Sequence, residues 1–109
     1  IRCLIQIRIA EEETKFGLPQ EQLTTLLENS KALSNIEVAG LMGMATFTDN
    51  KEQIISEFKT LKNLFDQAKK TFKNLEILSM GMSGDYDVAI QCGSNMIRVG
   101  SKIFGARNY

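Results

Sequence analysis

The sequence predicts an α/β fold, the C-terminal half of a (β/α)8 TIM-type barrel, and three observations carry that expectation. Short apolar segments alternate with helical patterns along the whole chain, the order of parallel strands joined by helical crossovers. Four such units fit into 109 residues, half of the ~250 typical of a complete barrel. The chain opens at Ile1, without Met and already inside an alternating run, so it is expected to be the tail of a longer polypeptide. Residues 1–109 then read as a single partial domain. The other closure of such a pattern is an open doubly wound sheet. No G-x-G-x-x-G follows the first strand, which weakens the dinucleotide-binding version of it.

The first element alternates with period two. Ile1, Cys3, Ile5, Ile7 and Ile9 share one face, and Arg2, Leu4, Gln6 and Arg8 the other, a strand pattern strengthened by β-branching. Residues 10–17 are polar and charged and read as a loop ending at Gly17. Pro19 suits the first turn of a helix, where its missing N–H costs nothing. Leu23, Leu26, Leu27 and Leu33 form its apolar stripe, with an end expected near Ser34 and Asn35. Glu37 to Ala45 is a short apolar run, read as a buried strand. Gly40 and Gly43 within it call for close approach by another backbone or a ligand.

Asp49 or Asn50 is placed to cap the next helix. There Ile54, Phe58, Leu61, Phe65, Ala68 and Phe72 recur in steps of four and three, the clearest helical period in the chain. Leu75 to Met80 is a third strand, and Gly81–Gly84 a turn. Asp85 to Cys92 is a short helix, and Met96 to Val99 a fourth strand ending at Gly100-Ser101.

Composition narrows the chemistry. Thirteen basic and thirteen acidic residues cancel, which argues against a dedicated nucleic-acid surface. No apolar run approaches the ~18 residues of a membrane span. The absence of His removes His-based triads, His-ligated zinc and His general bases. Cys3 and Cys92 cannot build a thiolate metal site, nor do they form a C-x-x-C pair. They read as reduced, buried thiols of a cytoplasmic protein.

In either α/β arrangement a ligand sits beyond the carboxyl ends of the strands. Residues ending there are Gln6, Arg8, Met44, Ser79 to Asp85 and Arg98 to Gly105. Gly81-Met82-Ser83-Gly84-Asp85 offers free backbone N–H groups and a hydroxyl to an anion. Gly100-Ser101 lets backbone approach closely and adds a second hydroxyl. Taken singly, each loop is equally accounted for by a helix cap or a turn glycine. Together, following consecutive strands, they fit one phosphate. By period two, Arg98 faces with Met96 and Gly100, away from Ile97 and Val99. A charge inside a barrel needs a partner, either a carboxylate or a ligand. Arg8 and Gln6 pose the same choice on the first strand. Lys15, in the loop after it, reaches either a ligand or solvent.

The segment LSMGMSGDYDVAIQCGSNMIRVGSKIFGARNY, Leu78 to Tyr109, closely resembles the C-terminal signature of the YggS/PROSC proteins, the pyridoxal 5′-phosphate homeostasis family. LIQIRIAEEETKFGL, with Lys15 and Gly17, and GLMGM, Gly40 to Met44, extend the likeness over essentially the whole chain. The resemblance implies an alanine racemase N-terminal domain-like barrel, of which this chain supplies strands five to eight. It implies an intracellular carrier and buffer of pyridoxal 5′-phosphate without established turnover, monomeric at full length, with PLP-dependent apoenzymes as partners. The alternative within the same fold is a PLP-dependent amino-acid racemase or decarboxylase.

Matched motif by motif, Ser83, Gly100 and Ser101 hold the phosphate, while Met82 and Met44 line the pocket. Arg98 lies near the pyridine nitrogen, where a cation discourages pyridinium formation and weakens the cofactor as an electron sink. The Schiff-base lysine of the family belongs to an early strand that nothing here matches, so none of the lysines present takes that role. Arg8 stands where many members carry Asn, and Gly84 where a polar residue is commoner.

Overall fold

The computed structural model describes residues 1–10 and 17–100. Three strands, β1 (Arg2–Gln6), β2 (Glu37–Gly43) and β3 (Ile77–Met80), form one parallel sheet in the order β1-β2-β3. A 3-10 turn at Gln20–Gln22 leads into α1 (Leu23–Ser30), which joins β1 to β2. α2 (Lys51–Thr71) joins β2 to β3, and α3 (Tyr86–Gln91) follows β3. Spatial order thus equals chain order, without the reversal that defines a doubly wound sheet.

All three helices pack on one face of the sheet. The core joins Ile7 and Ile9 after β1, Leu41 on β2, and Leu78 and Met80 on β3 with Leu23, Leu27, Ile54, Phe58, Leu61, Phe65 and Ala89 from the helices. Phe58 and Leu61 are fully buried at its centre. On the opposite face Leu4, Gln6, Met42 and Ile77 are half-buried and outside this core. A parallel sheet ordinarily has both faces covered.

Parity along β2 is corrected by a bulge. Cys3 pairs with Val38, but Leu4 pairs with Gly40, so Ala39 is the extra residue. The slip brings both Val38 and Leu41 to the helix side, which strict alternation forbids. It also drives Gly40 against β3: a β-carbon there would overlap the Ile77 carbonyl oxygen and lie 2.6 Å from its carbonyl carbon. At Gly43 a β-carbon would meet Leu61 and Ile9 side chains at 2.8 and 3.0 Å. Both glycines therefore serve packing, as their place in an apolar strand suggested.

Several boundaries differ from the sequence reading. The first strand closes at Gln6, and Ile7 makes an isolated bridge to Leu18. α1 stops at Ser30, whose hydroxyl donates to the Leu27 carbonyl at 2.7 Å, and Leu33 is left exposed beyond it. Such back-bonding by Ser competes with the helix ladder. α2 begins where expected, because Asn50 accepts from the Gln53 N–H at 3.3 Å, and Lys69 and Lys70 complement its C-terminal dipole. Cys3 and Cys92 are free thiols, half-buried rather than buried. No helix among the described residues is long and apolar enough to cross a membrane.

The expected fourth strand is reduced to one bridge, Met96 to Ser79, although its backbone still runs along β3. Met96 N–H donates to Leu78 O, Met80 N–H to Met96 O, and Arg98 N–H to Gly81 O, at 3.3, 3.1 and 2.9 Å. Side chains complete this edge. Asn95 Oδ1 accepts from Leu78 N–H at 2.7 Å, and Asn95 Nδ2 donates to Glu76 O at 2.8 Å. Ser94 Oγ donates to Met80 O at 2.7 Å. Asn95→Ala should therefore lower stability by about 1–3 kcal/mol through orphaned strand groups. The denaturation midpoint, at unchanged m value, measures it.

Candidate functional site

The sheet's geometry brings the carboxyl ends of β2, β3 and the segment after α3 side by side. Met44 follows β2 by one residue, because the strand ends at Gly43. It is half-buried, with the same parity as Met42, on the face away from the helices. Gly81 follows β3 directly. Its φ of +108° and its buried setting, where a β-carbon would come within 2.7 Å of Ala89 Cβ, both require glycine. The chain reverses there and presents Met82, Ser83 and Gly84 at the rim.

Asp85 organises this reversal. Its Oδ1 accepts from Met82 N–H at 2.8 Å, and its own N–H donates to Met82 O at 3.2 Å. The four-residue turn is thereby closed from both ends and leads into α3. Met82 is 42% exposed and Ser83 half-buried. Among the described residues, nothing lies within 4 Å of a β-carbon built at Gly84 or at Gly100, and both are exposed.

Arg98 links the elements. Its backbone N–H donates to Gly81 O, and its Nη2 donates to Met44 Sδ at 3.1 Å. The side chain is exposed, whereas Ile97 and Val99 are half-buried, as the period-two reading requires. Among the described residues, the ion pairs belong to Arg2 and Lys62, so no carboxylate there neutralises Arg98. A thioether is a weak acceptor, and the guanidinium keeps most of its donors for something else.

Of the residues singled out by sequence, Met44, Met82, Ser83, Arg98 and Gly100 thus fall at the carboxyl end of the sheet. Arg98 touches Met44 and is bonded to the residue before Met82. Ser101 and Lys15 lie outside the described residues. Gln6 is half-buried on the face opposite the helices, and Arg8 is exposed. The cleft of about 400 Å³ is elsewhere, at the opposite end of the strands, between Leu27, Lys31, Ile36, Phe72 and Leu75. A rim formed by three adjacent strands is a single wall, and a wall alone encloses no cavity.

Sequence reading missed Glu57. This carboxylate on α2 is only 8% exposed, and it accepts from Thr46 N–H and Thr46 Oγ1, both at 2.6 Å, and from Gln53 Nε2 at 3.1 Å. The signal was a charge three residues after Ile54, on the stripe that faces the core, where an ionised group needs donors.

Comparison with known proteins completes the picture. Residues 1–108 match the family described as alanine racemase, N-terminal domain. A pyridoxal phosphate homeostasis protein of Haemophilus influenzae is 42% identical over 111 residues, covering 100% of this chain and 47% of the relative. PipY of Synechococcus elongatus, solved without PLP, superposes with a TM-score of 0.88 at 25% identity, over 95% of this chain and 49% of that one. The same protein with PLP bound gives 0.82 at 24% identity over the same shares. The chain spans about half the length of the curated relatives it matches.

Proposed function

This chain belongs to the alanine racemase N-terminal domain family, and from that premise we propose that it forms the phosphate-gripping half of a pyridoxal 5′-phosphate carrier. Its strands act as the fifth to eighth of a (β/α)8 barrel. Consecutive strand order and one-sided helices support this, and so does a sheet face whose Leu4, Met42 and Ile77 lack a core partner. The strands of the other half cover that face and continue the sheet beyond β1.

The observation that carries the functional reading is the convergence of Met44, the Gly81–Asp85 turn and Arg98 at one rim. These residues fit the cofactor. Among the described residues nothing crowds Gly84 or Gly100, where a phosphate needs close approach to backbone. Ser83 and Ser101 supply hydroxyl donors there, and Met82 and Met44 supply apolar walls. Arg98, without a carboxylate partner among the described residues, carries a guanidinium that donates to a ring nitrogen and never accepts from it. When bound, the cofactor supplies an electrophilic aldehyde and an electron-withdrawing ring. Arg98, as a donor that cannot deliver a proton at neutral pH, would hold the ring nitrogen unprotonated, which would favour holding the cofactor over turning over amino acids.

The relatives are named as homeostasis proteins rather than enzymes, in keeping with a carrier. PLP-dependent apoenzymes are its recipients, and a monomer in a reducing, cytoplasmic compartment suits its two free thiols. The test is an absorbance titration of the full-length protein with pyridoxal 5′-phosphate and with phosphate-free pyridoxal. Saturable, one-to-one binding of the first, far tighter than of the second, is expected. Equal affinity for both removes the phosphate grip. Racemisation or decarboxylation of amino acids by the loaded protein would overturn the carrier reading in favour of an enzyme.

A further inference from the structure

We infer that Glu57 is a positioning residue for the cofactor, acting through Thr46 and Met44. This rests on the proposed function and names a part of the site that neither the family match nor any relative assigns. Glu57 is buried on α2, and each of its oxygens is used by Thr46: Oε1 by the N–H and Oε2 by the hydroxyl, both at 2.6 Å. Gln53 Nε2 adds a third donor at 3.1 Å, and Gln53 is itself anchored through its N–H to Asn50. The loop leaving β2 is therefore clamped at Thr46 by a charge, with a geometry that fixes both the peptide plane and the side chain.

Two residues back stands Met44. Between them Ala45 is buried in the core cluster that also holds Ile54 and Phe58. Met44 thus sits between a strand end at Gly43 and two consecutive anchors. Its backbone cannot shift without disturbing one of them. Its sulfur in turn receives the Arg98 guanidinium at 3.1 Å. The line Glu57–Thr46–Met44–Arg98 runs from the buried face of α2 to the rim.

Stability alone does not account for a carboxylate here. Ile54, Phe58 and Leu61 surround position 57 on the helix stripe, and an apolar side chain there avoids the desolvation of a buried charge. What the charge adds is direction: charge-assisted bonds are short and geometrically demanding. The cofactor wall is therefore held from behind by a residue that never touches the cofactor.

The experiment uses the full-length protein, titrated with pyridoxal 5′-phosphate by absorbance, with thermal melts in parallel. Glu57→Ala should weaken binding about tenfold, the equivalent of losing the two bonds to Thr46. Glu57→Gln should bind within about threefold of the parent, because an amide still accepts from Thr46 N–H and donates to its hydroxyl. Rescue by Gln separates positioning from bulk packing, which the two substitutions perturb unequally in size. If Glu57→Ala melts without cooperativity, Thr46→Val removes one tether from the loop side and should weaken binding about threefold. A parent that binds with Glu57→Ala or Thr46→Val equal to it, while Met44→Ala weakens binding, overturns the inference and leaves the carrier reading standing. A parent that binds nothing overturns both.

Discussion

Gly40→Ala is expected to cost about 3–5 kcal/mol of stability, from steric overpacking together with lost ladder hydrogen bonds. That is a large share of the roughly 5–15 kcal/mol that holds a domain folded. The β-carbon would meet the Ile77 carbonyl group and Ile77 Cα, the latter at 2.9 Å. These atoms are backbone, so no rotamer change relieves the contact, and β2 and β3 must part or slip. Parting them breaks the register Gly40–Ile77, Leu41–Leu78 and Met42–Ser79, and with it the relation between Met44 and the Gly81 turn. Cofactor binding should fall together with stability. Gly84→Ala is the control, since nothing lies within 4 Å of a β-carbon there. It should stay within about 0.5 kcal/mol of the parent. Urea midpoints of both variants decide the matter, and equal midpoints would mean that Gly40 is not pressed against β3.

This glycine marks the boundary of what the sequence makes legible. Its need for close approach was readable from an apolar strand interrupted by residues without side chains. The bulge that creates the approach was not. From Val38 to Met42 every residue is apolar or glycine, so a parity change leaves no trace in the pattern, and it emerges only when β1 is paired with it. α2 was readable in detail because Phe58, Phe65 and their neighbours repeat on a face that the sheet buries. α1 was overextended because Leu33 continues the period while the α-helical ladder stops at Ser30 and gives way to three-residue turns at Lys31, Ala32 and Leu33. The fourth strand was overcalled because Met96 to Val99 has strand composition, yet among the described residues it finds a neighbour on one side only.

The site divides in the same way. Residue types at strand ends are local, so Met44, the Gly81–Asp85 turn and Arg98 could be placed at one rim from element order alone. The contacts that hold them are not local. Arg98 meets Met44 across 54 residues of chain, and Asn95 closes the edge of β3 from 17 residues away. Glu57 reaches Thr46 across eleven. A charge on a buried stripe signals that a partner is needed without saying which.

Ser83→Ala combined with Ser101→Ala is expected to weaken pyridoxal 5′-phosphate binding about 10²–10⁴-fold, each hydroxyl contributing about 1.5–3 kcal/mol to a charged phosphate. If both hydroxyls grip one dianion, as proposed, their losses should couple and the double variant need not equal the product of the singles. Position in the fold gives the reason for pairing them. The Arg98 N–H to Gly81 O bond ties the segment leading to Gly100 against the strand leading to Met82, which is the ground for pairing Ser83 with the serine that follows Gly100 in sequence. Phosphate-free pyridoxal supplies the control that separates grip from fold. Its affinity should be unchanged in the double variant, which keeps the ring contacts proposed for Met44, Met82 and Arg98. Inorganic phosphate should compete with the cofactor in the parent and lose that ability in the variant. If pyridoxal and pyridoxal 5′-phosphate weaken together, the serines shape the pocket instead of gripping the phosphate. If neither weakens, the anion is held by other groups, and the rim built from β3 and Arg98 serves a different ligand.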